Sequence, residues 1–95
     1  ARECRRVPLD LSLGICLLMA EREDPRFERA ARRWGERLLA EPRRGTLLQC
    51  ARILEALAAV GAADRRGLGR LALALRAAEL GSEARVVEEF MDRGA

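Results

Sequence analysis

Arg26, Arg29, Arg33 and Arg37 recur every three or four residues in PRFERAARRWGERLLAE, residues 25 to 41, a stretch that also holds the chain's one tryptophan, Trp34. That spacing is the repeat of an α-helix, so the four guanidiniums gather within about 80° of one face. A guanidinium presents a planar fork of donors that suits carboxylate and phosphate alike. The stripe is therefore a candidate contact for an acidic partner or for nucleic acid. The plainer reading is a solvated face whose long stems also cover apolar surface. Glu28, Arg32 and Glu36 fall on the opposite flank at i,i+4 spacing and are expected to balance one another. Arg43 and Arg44 continue the positive run into the next turn.

A second anion-binding candidate is RRGLGRL, residues 65 to 71. Two glycines around one apolar residue, at the start of a helix, let backbone N–H groups approach an anion. Gly67 and Gly69 join the four arginines on that ground. The stretch resembles the hairpin of the helix-hairpin-helix DNA-binding motif over residues 47 to 75, with Gly67 and Gly69 at its two glycines and Leu68 at its apolar residue. Gly61-Ala62-Ala63-Asp64 lengthens the turn relative to that family, and Ala72 and Ala74 straddle its small-residue position. The resemblance implies contact with nucleic acid.

Catalysis has few tools here. The chain has no His, Lys or Tyr, which leaves carboxylates and thiols as the only general bases. Glu21 with Glu23, and Glu88 with Glu89, sit in charged helix ends where solvation accounts for them, and no phosphate-binding or dinucleotide fingerprint accompanies them. Cys16 and Cys50 fall on apolar faces and read as small core residues. Cys4 lies among Arg2, Arg5 and Arg6, which would lower its pKa, yet no imidazole or resolving cysteine is near in sequence. The cysteine spacings of 12 and 34 residues match no zinc pattern. No catalytic residue, metal site or cofactor is expected.

Composition sets the frame. The 95 residues allow one domain, and a hydrophobic fraction of 49% supports a core even with 35% of residues charged. All 18 basic residues are Arg, as in proteins of GC-rich genomes, and the net charge is only +3, so an electrostatic partner must read a local patch. Three cysteines, an odd number with no CxxC pair, point to a reducing compartment, and the cytoplasm is the expected location. Arg2, Arg5 and Arg6 before LSLGICLLMA imitate a secretory signal, but Asp10 interrupts the approach and the run leads straight into another amphipathic segment. Its ten uncharged residues are half of what a spanning helix needs, so no membrane segment is expected.

The elements that must carry these residues are helices. Pro8, Asp24-Pro25, Thr46, Gly61 and Gly81-Ser82 punctuate the chain, and no stretch alternates with period two. The punctuation predicts an all-α, compact bundle of five helices over residues 9–23, 25–41, 47–60, 67–80 and 83–92, arranged as antiparallel hairpins. The second helix has one apolar face, Phe27, Ala31, Trp34 and Leu38, and the third has Cys50, Ala51, Leu54, Leu57 and Ala58. The first and fourth are apolar on two sides. Leu9, Leu13 and Cys16 oppose Leu11, Ile15 and Leu18, while Leu68, Leu71 and Leu75 oppose Leu73 and Leu80. Two such helices are hard to cover in a small monomer. Leu73 and Leu80 are therefore the candidate interface, covered by a second copy in a homodimer or by a protein partner.

The pattern from residue 7 to 41, centred on DPRFERAARRW, resembles small uncharacterised all-helical proteins of GC-rich bacteria. That resemblance implies a compact intracellular bundle and no activity. The expectation is a non-enzymatic protein-interaction or accessory module that self-associates through the first and fourth helices. The alternative is an accessory nucleic-acid-binding protein that uses the Arg stripe and the Gly-x-Gly turn. Whether Arg33 and Arg37 share a face with Arg65, Arg66 and Arg70 separates the two.

Overall fold

The computed structural model describes residues 7–40, 46–62 and 66–93. Five helices account for nearly all of them: α1 Leu9–Glu21, α2 Phe27–Ala40, α3 Leu47–Gly61, α4 Arg66–Ala77 and α5 Gly81–Arg93. No strand occurs among the described residues. Each helix touches the next, α5 returns to touch α1, and α1 also meets α3, so the five form a closed ring around one core. Residue 41, the expected last residue of the second helix, lies outside the described residues, as do Cys4, Arg43, Arg44, Arg65 and the basic residues before Val7.

Local chemistry explains the boundaries. Thr46 opens α3 with a reciprocal capping box: its hydroxyl accepts the Gln49 N–H while the Gln49 side chain accepts the Thr46 N–H. Two helices stop earlier than their apolar pattern suggests. In α1 the chain turns left-handed at Glu23, φ 56°, and the N–H groups of Glu23 and Asp24 return to the carbonyls of Ala20 and Met19. In α4 the same pattern runs through Glu79, φ 63°, with Leu80 N–H on Leu75 C=O. Both are Schellman endings, here with glutamate where glycine is usual.

The ending at Glu79 corrects the expected helix over 67–80 and with it the place of Leu80. Leu80 lies beyond α4, half-buried against the core. The hydrophobic contact that accompanies a Schellman ending joins the residue at this position to the last turn of the helix. Leu80 therefore does not extend an outward face with Leu73.

The core is aliphatic around one indole. Trp34 is 1% exposed, and its Nε1–H donates to the Leu9 carbonyl at 3.0 Å, which fastens α2 to the start of α1. Phe27, Trp34 and Leu38 form the buried face of α2 as the spacing predicts, with Ala31 at its edge. In α3 the buried face is Cys50, Ile53, Ala56, Leu57 and Val60. Ala51 and Ala58 are exposed, so the expected face is rotated toward the larger β-branched residues. The expected face of α4 holds, with Leu68, Leu71 and Leu75 all buried.

Two glycines mark close approaches of helices. A Cβ on Gly61 would enter the ring of Phe27, and one on Gly67 would meet the backbone nitrogen of Val60 at 3.0 Å. These residues let α2 and α4 press against the last turn of α3.

Candidate functional site

A groove of about 760 Å³ runs between α1 and α2, and the arginine stripe forms one of its walls. Ile15, Cys16, Met19, Ala30 and Trp34 line it with apolar surface, while Arg26, Arg29, Arg33 and Arg37 stand along it, with Glu36 the one carboxylate of the lining among the described residues. The helical spacing that placed the four guanidiniums together in sequence thus brings them to one groove in space. Their partners differ.

Arg26 is forked onto Asp24, with Nε 3.1 Å from Oδ1 and Nη2 2.8 Å from Oδ2. The Asp24 carboxylate also accepts the Arg26 backbone N–H at 2.9 Å, organising the first turn before α2. The side-chain bond from Arg26 leads in holding the Asp24 carboxyl down at about 2, with the backbone bond and the charge of Arg22 adding to it. An acid therefore does meet the stripe, two residues before its first member. Arg37 reaches along the groove to donate from Nη1 to the Val7 carbonyl at 2.7 Å, tying the lead-in of α1 to α2. Arg29 and Arg33 are exposed, and their guanidiniums make no hydrogen bond or ion pair with a described residue. They are the stripe's available cations. The balancing ladder on the other flank does not close: Glu28, Arg32 and Glu36 are exposed and form no ion pair among the described residues.

Beside this groove lies the second apolar side of the first helix, which the sequence pattern assigns to self-association together with the fourth. Leu11, Ile15 and Leu18 of α1 are 59%, 47% and 38% exposed, while Leu13, Cys16 and Leu17 on the other side are buried. The two-sided apolar pattern of α1 carries this signal in sequence, although the candidate interface residues, Leu73 and Leu80, both come from the predicted fourth helix. In the structure α4 resolves its second side differently. Leu73 is 73% exposed, and Leu80 turns back onto the core. Leu73 borders a separate groove between α3 and α4, with Gln49, Arg52, Glu55 and Arg70.

The remaining anion-site candidates do not join the stripe. Gly67 is buried against α3, where its missing side chain permits packing, and a Cβ on Gly69 would meet nothing within 4 Å. Residues 63–65 of the intervening turn lie outside the described residues. Arg70 lines the α3–α4 groove, whereas Arg33 and Arg37 line the α1–α2 groove.

Burial pushes the Cys16 thiol up to about 11, which keeps it protonated and poorly nucleophilic near neutral pH. Cys50 is buried as well. No cluster of three or more His, Cys, Asp or Glu is placed to hold a metal ion among the described residues, and no helix among them is long and apolar enough to cross a membrane. Compared with known proteins, the chain matches no family model, no curated protein and no solved structure.

Proposed function

We propose that this chain is a non-enzymatic protein-interaction module of the cytoplasm that docks a second copy or a partner protein through the outward side of α1. One observation carries the reading: Leu11, Ile15 and Leu18 form an exposed apolar row on a helix whose opposite side is already committed to the core. An exposed row of large aliphatic side chains at helical spacing is costly in water, and covering it by association removes that cost. The lack of His, Lys and Tyr, together with the protonated state of Cys16, supports a binding role over a catalytic one.

Leu11→Asp with Leu18→Asp tests this, because both side chains are exposed on the outward side of α1. The double variant should keep the wild type's circular dichroism. It should also lose the dimer, or the identified and reconstituted partner complex, that the wild type forms at micromolar concentration. A wild type that sediments as a monomer and forms no complex sensitive to these substitutions contradicts the reading.

Nucleic-acid binding is the second reading and rests on the exposed pair Arg29 and Arg33. If it holds, affinity falls steeply with salt, and removing both residues reduces the log-log salt slope by nearly 2, at about 0.9 for each phosphate contact. The position of Arg70 in the α3–α4 groove weighs against it.

A further inference from the structure

Resting on the interaction reading above, we propose that the α1–α2 groove receives an acidic amphipathic helix, a partner segment with apolar residues along one side and Glu or Asp along the edge that faces α2.

Two adjacent rows of similar length define the occupant. Leu11, Ile15 and Leu18 span about 10 Å along α1, and Arg29, Arg33 and Arg37 span about 12 Å along α2, at 1.5 Å per helical residue. Ile15 belongs both to the exposed row and to the groove, so it joins the row of Leu11 and Leu18 to the channel beside the arginines. A helix of two to three turns laid in this channel buries residues spaced i, i+4 and i+7 against Ile15 and Met19. The flanking positions of the same helix then pass in front of Arg29 and Arg33.

Charge decides the sign of that flank. Among the described residues the groove presents four guanidiniums and one carboxylate, Glu36, and Asp24 is bonded to Arg26 alone of the four. A basic or neutral helix would bring its own charges, or none, against Arg29 and Arg33; an acidic one pairs with both through forked hydrogen bonds. A nucleic-acid strand fits the arginines but not their neighbours. Phosphates would lie against Ile15, Met19 and Ala30, where the lining offers Ser12 as its only hydroxyl and no aromatic ring stands exposed for stacking. An anionic bilayer is flat, whereas here apolar and basic residues face each other across a channel.

The test uses the whole chain and a capped helical peptide of about 14 residues, with Leu at i, i+4, i+7 and i+11 and Glu on the flanks. The comparison ligands are the same peptide with Lys for Glu, a sequence-scrambled acidic peptide, a short DNA duplex and phosphatidylglycerol-containing vesicles. Fluorescence anisotropy should give micromolar binding of the acidic amphipathic peptide, at least about tenfold tighter than the Lys peptide or the scrambled one. Arg29→Glu with Arg33→Glu should reverse the preference between Glu and Lys peptides, and Ile15→Ser should weaken both by about fivefold or more. These positions are exposed, so circular dichroism should stay unchanged. Equal binding of Glu and Lys peptides, or an Arg29→Glu/Arg33→Glu variant with unchanged preference, overturns the proposal. Duplex or vesicle binding tighter than the acidic peptide and lost in the same variant overturns it in favour of those partners. Loss of the acidic-helix preference while a complex sensitive to Leu11→Asp/Leu18→Asp persists refutes this inference alone and leaves the interaction reading standing.

Discussion

Trp34→Ala removes the side chain that fixes the groove's geometry, and its cost can be worked from the structure. An indole at 1% exposure takes about 200 Å² of surface out of water, worth about 5 kcal/mol at about 25 cal/mol per Å². Discounting by about a quarter for residual burial in the unfolded chain leaves about 4 kcal/mol. The bond from Nε1–H to the Leu9 carbonyl contributes about 1 kcal/mol more. The total, about 4 to 5 kcal/mol, lies at the upper end of the range for large-to-alanine changes in cores. A small domain holds about 5 to 15 kcal/mol in all, so the variant should lie close to its unfolding transition at physiological temperature. Urea denaturation followed by far-ultraviolet circular dichroism measures the loss directly. Trp34→Phe separates the two contributions, because it keeps most of the packing and gives up the indole N–H. That variant should cost about 1 to 2 kcal/mol. A loss below about 1 kcal/mol for Trp34→Ala would refute the reasoning, since no buried tryptophan leaves so little behind.

Three further outcomes follow from local features. Gly61→Ala gains up to about 1 kcal/mol of helix propensity but drives a methyl into the Phe27 ring, so the net result should be a loss of about 1 to 2 kcal/mol by chemical denaturation. Glu23→Gly relieves a left-handed backbone that costs a non-glycine residue about 1 to 2 kcal/mol; after the greater unfolded-state freedom of glycine is subtracted, stability should rise by about 0.5 kcal/mol. For Asp24, the folded pKa of about 2 lies below the unfolded value of about 4. Its stabilising contribution is therefore complete above pH ~4 and lost as pH falls through ~2, and Asp24→Asn should flatten the acid limb of the stability profile in that window.

Much of the fold was legible because helix chemistry here is local. Thr46 and the Asp24-Pro25 pair announce helix starts, and the 3.6-residue rows of Phe27, Trp34 and Leu38 or Leu68, Leu71 and Leu75 select the buried faces. The helix ends were less legible. Glu23 and Glu79 take the left-handed conformation that sequence reasoning reserves for Gly or Asn, so α1 and α4 were read two and three residues too long. That extension is what put Leu80 on an outward face. The glycine pattern also left a packing role unread, since Gly67 permits close contact between α4 and the backbone of Val60. Of the candidate site, the convergence of Arg26, Arg29, Arg33 and Arg37 followed from spacing alone. Which of them are already engaged did not, because Arg37 bonds to the carbonyl of Val7, thirty residues earlier in the chain. The choice of α1 over α4 as the open helix likewise depends on tertiary packing, in which α5 and α2 flank α1 and leave Leu11, Ile15 and Leu18 uncovered.

The central claim is that the outward side of α1 is a protein-binding surface, and site-specific photo-crosslinking in cells tests it most directly. A photoreactive residue placed at Ile15 should yield one discrete adduct, to a second copy or to a single protein identified by mass spectrometry. The adduct should vanish when Leu11→Asp and Leu18→Asp are added and should be missing when the probe sits at exposed Ala51 on α3. No adduct at position 15, or the same adducts from positions 15 and 51, would contradict the account.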